Sequence, residues 1–237
     1  FRRHTCLLLL DNAADAAQVR PLLPPPPSAA IVTSRLNFQL PEAGLRPLRL
    51  ELLEMPAALQ LLGQVSPRLQ GAPQLEAIAA ACGRLPLALR IAAAIFESRP
   101  DWSADELLAR LADERTRLAT LRHPNDPDLD VVAWLELSYR SLDDGLAERF
   151  RALGVFPAPF DRRALAAVWE GEGAAELSRA AEQALGALLG RNLVDYRPAS
   201  GDYALHDLKR LYAQELLLAQ PEQARLALAR HAAHYLE

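Results

Sequence analysis

Apolar positions along this chain change their period twice. Thr5 to Leu10 and Ala29 to Thr33 are continuous apolar runs, the first closed by Asp11. Runs without alternation are what buried strands of a parallel sheet show. Between them, Asp15 to Leu23 supplies a short crossover helix, and Pro24 to Pro27 break the chain, either as a rigid loop or as a polyproline ligand for an aromatic groove. Leu48 to Leu50 reads as a third strand. Beyond it the spacing becomes helical. Ser103 and Glu106 have capping-box spacing, and Leu107, Leu108, Leu111, Leu118 and Leu121 recur on one face of a single helix. The turn formers of His123-Pro124-Asn125-Asp126-Pro127 mark a boundary. Val131 to Tyr139, Leu146 to Leu153, Asp161 to Trp169 and Ala174 to Leu189 form a second helical group. Leu193 to Arg197 and Tyr203 to His206 then flank Pro198 to Asp202, whose Ser200-Gly201 pair predicts a β-hairpin. Leu208 to Leu218 returns to helical spacing, and Pro221 opens a last Ala-rich helix.

The expected fold is therefore mainly α with a partial α/β segment. The divisions fall at 1–50 (α/β), 51–124 (helical), 125–220 (helices with a two-stranded wing, a winged-helix arrangement) and 221–237 (the start of a following helical region). At 237 residues, 51% hydrophobic and 24% charged, the chain can bury several small cores. No uninterrupted apolar run approaches the length of about 18 residues that a membrane span needs, and no signal peptide is apparent, so a cytoplasmic protein without a membrane partner is expected. The chain opens on Phe1, which suggests an excised or processed piece. Cys6 and Cys82 are the only cysteines, and their apolar contexts predict free buried thiols. A net charge of -4, with Lys209 as the single lysine, argues against a general nucleic-acid binder.

Leu7-Leu8-Leu9-Leu10-Asp11-Asn12 has the form of a Walker B strand, which carries one carboxylate to a carboxyl-terminal tip where it can hold Mg²⁺. An apolar run ending in Asp is common, and the same residues also suit an ordinary strand end. The second run ends in Thr33-Ser34-Arg35, which places a guanidinium beside Asp11, able to sense a terminal phosphate or simply solvated. From Leu7 to Arg35 the sequence resembles the Walker B and sensor segments of NB-ARC ATPases, in the STAND class of signalling proteins. Gly83-Arg84-Leu85-Pro86 resembles that family's Gly-x-Pro motif with one extra residue, and Leu205-His206-Asp207 its Met-His-Asp motif with Leu for Met. Read without the resemblance, the first is a helix stop followed by a helix start, and the second a strand end with Asp207 capping the next helix.

The resemblance implies a nucleotide switch of the bacterial regulator type, acting in signalling or transcription. The carboxyl-side part of a P-loop NTPase sheet would be followed by a helical domain and a winged-helix domain that opens with Trp134 to Tyr139. It implies Mg²⁺ at Asp11 and nucleotide contacts at Thr33, Ser34, Arg35, Pro86, His206 and Asp207, with His206 reaching phosphate. ADP or ATP with Mg²⁺ would be the cofactor of the intact protein, a slow ATPase. Its partners would be an upstream phosphate-loop segment, an effector domain and downstream helical repeats, with oligomerisation in the ATP state. No G-x-x-x-x-G-K-[ST] occurs in the sequence, so this chain alone is expected to bind nucleotide weakly or not at all and to lack ATPase activity. Asn12, where many relatives carry a second acid, is a poor general base.

Two other functions compete. One is a DNA-binding winged-helix regulator reading duplex through Ala174 to Leu189, although Glu176, Arg179, Glu182 and Gln183 form a mixed face poorly suited to phosphates. The other is a helical interaction scaffold with degenerate nucleotide motifs. His231 and His234 lack a nearby third ligand for zinc.

Overall fold

A computed structural model describes residues 5–41, 44–122, 130–171, 174 and 176–236. Strands β1 (Leu7–Leu10) and β2 (Ala29–Val32) pair in parallel, with Leu7 opposite Ala29 and Leu10 opposite Val32. They are joined through the one-turn helix α1 (Ala16–Val19), which Asp15 caps by accepting from the Gln18 N–H, and a 3₁₀ turn at Arg20–Leu22. One face of this ribbon turns Leu10 and Val32 toward a small core of Ala13, Val19 and Leu40. The other leaves Leu7, Leu9 and Ile31 more than half exposed.

The third expected strand is corrected. Residues 48–50 take no strand conformation, and Leu48 and Leu50 are 84% and 87% exposed. Apolar alternation gives a segment strand propensity, but only a hydrogen-bonding partner makes a strand.

Helices build the rest: α2 (Met55–Val65), α3 (Leu75–Ala81), α4 (Pro86–Ser98), α5 (Ala104–Ala112), α6 (Glu114–Thr120), α7 (Val131–Tyr139), α8 (Asp144–Ala152), α9 (Arg162–Glu170) and α10 (Arg179–Gly190). The hairpin β3 (Asp195–Arg197) and β4 (Asp202–Ala204) follows, then α11 (Asp207–Leu218) and α12 (Pro221–Leu236). The boundary expected at residues 123–127 lies outside the described residues. Beside the small core under the strands, one continuous apolar cluster runs from Ala58 on α2 to Ala227 on α12, so the described residues form one large and one small core where several small ones were expected.

Local chemistry explains the element limits. Asp130, Asp143, Asp161 and Ser178 each accept from backbone N–H groups in the first turns of α7, α8, α9 and α10. These caps set α8 two residues earlier and α10 five residues later than the leucine spacing suggests. The single helix expected after Ser103 is two helices. Ser103 does cap α5, accepting from Glu106 N, but the Glu106 carboxylate pairs with Arg110 and leaves the capping box half-made. Asp113 turns extended at ψ 112, and the buried Arg117 side chain donates to the carbonyls of Leu111 at 2.5 Å and Ala112 at 3.2 Å. A guanidinium thus satisfies carbonyls that a continuous helix would have bonded, and Leu107, Leu111, Leu118 and Leu121 are all buried across the break.

The 3₁₀ turn Leu153–Val155 lies against α11, so close that a β-carbon on Gly154 would come within 2.5 Å of Gln214 N. Cys82 is buried, and burial pushes its thiol up to about 12. Cys6 is only half-buried, in contrast to the expectation. No helix among the described residues is long and apolar enough to cross a membrane.

Candidate functional site

The predicted site residues fall into two clusters. At the strand tips, Thr33 organises the first. Its hydroxyl donates to Asp11 Oδ1 at 2.5 Å and accepts from Asn12 N at 2.8 Å, while its carbonyl accepts from Ala13 N at 2.9 Å. Asn12 adopts a left-handed φ of 55°, which turns the chain sharply after the carboxylate. Ser34 extends the clip by donating to the Ala13 carbonyl at 2.8 Å. Asp11, Thr33 and Arg35 are exposed, and Ser34 is half-buried. The parallel pairing of β1 and β2 thus sets one carboxylate and two hydroxyls side by side at the carboxyl-terminal edge.

The second cluster joins residues 123 positions apart: His206 Nε2 lies 3.0 Å from the Gly83 carbonyl. Gly83 and Arg84 both have positive φ, at 61° and 55°. The extra residue between Gly83 and Pro86 is thus absorbed by a second left-handed position. Gly83 N and Arg84 N return to the carbonyls of Ala80 and Ala79, closing α3, and the exposed Pro86 opens α4 at its first position.

His206, rather than Asp207, caps α11. Its Nδ1 accepts from Leu208 N at 3.3 Å, which puts the ring proton on Nε2 and makes that nitrogen the donor to Gly83. Asp207 is exposed in the first turn, where its charge favours the positive end of the helix.

Three residues that sequence reasoning passed over lie between the clusters. Asn192 Nδ2 donates to the Arg35 carbonyl at 3.3 Å, Lys209 Nζ donates to the Asn192 carbonyl at 2.5 Å, and Asp195 pairs with both Lys209 and Arg49. The signal for Asn192 is its place just after a helix end, where Asn tolerates the left-handed conformation it adopts at φ 53°.

His231 packs its ring on Phe156 and Tyr235, and among the described residues no group of three or more His, Cys, Asp or Glu could hold a metal. On α10, Arg179, Glu182 and Gln183 are exposed, with Glu182 paired to Arg162.

No family model matches the chain. Over 238 residues, 97% of its length, it is 41% identical to the regulatory protein AfsR of Streptomyces griseus. Over 213 residues, 88% of its length, it is 39% identical to the regulatory protein AfsR of Streptomyces coelicolor. The chain is similar to a segment of bacterial regulatory proteins. It spans 23% and 20% of the length of those two relatives, so it corresponds to one part of a much longer architecture.

Burial holds the His206 imidazole below its ordinary range, against the opposing pull of the Gly83 carbonyl. The unfolded chain, with a histidine value of about 6.5, takes up the proton first as pH falls. The stability contributed by neutral His206 is therefore complete above about pH 6.5 and is lost as pH falls below it. Burial depresses His231 in the same direction, so acid sensitivity has two sources. The melting temperature should fall between about pH 7.5 and pH 5.5, and His206→Asn, which keeps a capping oxygen but cannot titrate, should show a shallower fall. Parallel curves for the two proteins would assign the acid sensitivity elsewhere.

Proposed function

We propose that this chain is the carboxyl-side part of a nucleotide-dependent switch of the NB-ARC type within a bacterial transcriptional regulator. In that reading β1 and β2 belong to a P-loop sheet, and α7 to α11 with the hairpin form the winged-helix domain. The observation that carries the reading is the bond between His206 and Gly83. It brings the Leu205-His206-Asp207 segment onto the Gly83-Pro86 turn, as a latch between a helical and a winged-helix unit requires.

The residues present fit a magnesium nucleotide. Asp11, Thr33 and Ser34 offer hard oxygen atoms at a strand tip, and Mg²⁺ is commonly held by one or two carboxylates with phosphate oxygens and water. Bound nucleotide would supply a ligand that distinguishes two conformations. Thr33 fixes the Asp11 carboxylate through its hydroxyl. His206 presents an Nε2 proton to an acceptor oxygen while Nδ1 stays bound to Leu208 N, so one tautomer serves either the Gly83 carbonyl or a phosphate.

Lacking the glycine-rich loop and its lysine, the chain alone should bind ADP or ATP with Mg²⁺ more weakly than about 100 µM, or about -5.5 kcal/mol, by calorimetry. A longer piece of the parent protein that carries a phosphate loop should bind in the ordinary range for a nucleotide site. Tight, stoichiometric ADP binding by this chain alone would show that the phosphate grip lies within it. No binding by the longer protein would remove the switch reading and leave the helical scaffold.

A further inference from the structure

Residues 33–37 are held at both ends. Thr33 and Ser34 are bonded to the Asp11 turn, whereas Arg35 and Asn37 are bonded to the end of α10: the Arg35 carbonyl accepts from Asn192 Nδ2 at 3.3 Å, and Asn37 N donates to the Gly190 carbonyl at 3.0 Å. Ser34 and Arg35 are neighbours whose Cα atoms lie about 3.8 Å apart across a trans peptide, so the two anchorages cannot move independently. We propose that Asn192 and Lys209 are positioning residues that hold the Arg35 segment against the end of α10 and so fix where Arg35 stands, two residues after the Thr33 that binds Asp11. The proposal rests on the nucleotide reading only for the ligand that Arg35 would meet.

Asn192 makes this contact from a left-handed backbone, with its own carbonyl turned to Lys209 Nζ at 2.5 Å. The Lys209 side chain is only 13% exposed and sits 3.8 Å from Asp195, which Arg49 also engages. An ammonium buried this far is costly unless hydrogen-bonded and paired, and these two partners meet both needs. Burial also draws the Lys209 ammonium below its ordinary pKa, with Asp195 opposing. Asn192→Gly removes the side-chain amide while keeping a residue at ease at positive φ, so it separates the contact from backbone strain. Lys209→Met removes the charge and keeps the stem.

Hydrogen exchange resolved at single amides tests the assignment in the whole chain. The Asn37 amide should exchange about tenfold faster or more in both variants, the scale of one lost hydrogen bond. The Thr33 amide, bonded inside the sheet to the Leu10 carbonyl at 2.9 Å, should be unchanged. Unaltered Asn37 exchange in Asn192→Gly, or equal acceleration of Thr33 and Asn37, would overturn the proposal. A second arm adds Mg²⁺–ADP or Mg²⁺–ATP to the longer, phosphate-loop-bearing protein. If nucleotide changes Thr33 exchange in the wild type, Asn192→Gly should uncouple Asn37 from that change, and Asn37 still following Thr33 in the variant would overturn the positioning role. If nucleotide leaves Thr33 untouched in the wild type, the nucleotide reading fails, and the positioning role is then decided by the first comparison alone.

Discussion

Gly154→Ala should be strongly destabilising. The added β-carbon would lie 2.5 Å from Gln214 N, 2.7 Å from Gln214 Cα and 2.8 Å from the Ala213 carbonyl carbon, all of them backbone atoms of α11. A flexible side chain could swing away, but a helix backbone must move as a body. Moving α11 displaces Leu208, Leu211, Tyr212, Ala213 and Leu217, all buried in the large core. It also disturbs the cap at His206. Overpacking a tight core costs about 1 to 3 kcal/mol and occasionally more, and this position belongs at the upper end because every atom met is main chain. For a protein of this size, about 3 kcal/mol corresponds to a melting temperature lower by roughly 6 to 12 °C. Calorimetric melting of the variant checks this. A drop of less than about 2 °C would mean that the Leu153–Val155 turn can retreat from α11 without loss, contrary to the packing described.

How far such contacts can be read in advance depends on how local their causes are. β1, β2, the hairpin and the helices between Val131 and Leu218 were legible because apolar period and turn residues act over a few positions. The helix limits moved where an Asp or Ser cap outweighed leucine spacing, as at Asp143 and Ser178. Leu48 to Leu50 misled because a strand exists only with a partner, and no local pattern supplies one. The break at Asp113 depends on Arg117 folding back onto the carbonyls of Leu111 and Ala112, a side-chain choice that periodicity does not carry. At the candidate site, the sequence pointed to Asp11, Thr33, Gly83, Pro86 and His206 one by one. What it could not give was the pairing of His206 with Gly83 across 123 residues, or the use of Asn192 and Lys209 to seat Arg35.

The His206–Gly83 pairing predicts a coupled pair of variants. Gly83 sits at φ 61°, and a β-carbon there would fall 2.3 Å from both Cε1 and Nε2 of His206. Gly83→Ala should therefore act twice. The left-handed backbone costs about 1 to 2 kcal/mol for any residue with a β-carbon. Displacing the ring breaks its bond to the Gly83 carbonyl and strains its cap on Leu208 N, worth about 1 kcal/mol each. The single variant should lose about 3 kcal/mol in urea unfolding, and His206→Ala alone about 2 kcal/mol through the same two bonds. The double variant has no ring left to strike, so Gly83→Ala on the His206→Ala background should retain only the backbone term. Its total loss should then fall short of the sum of the singles by about 1 to 2 kcal/mol, as expected for residues in direct contact. Additive losses would mean that His206 already stands clear of Gly83 in solution. The link between the Gly83-Pro86 turn and the start of α11 would then be too weak to serve as a latch.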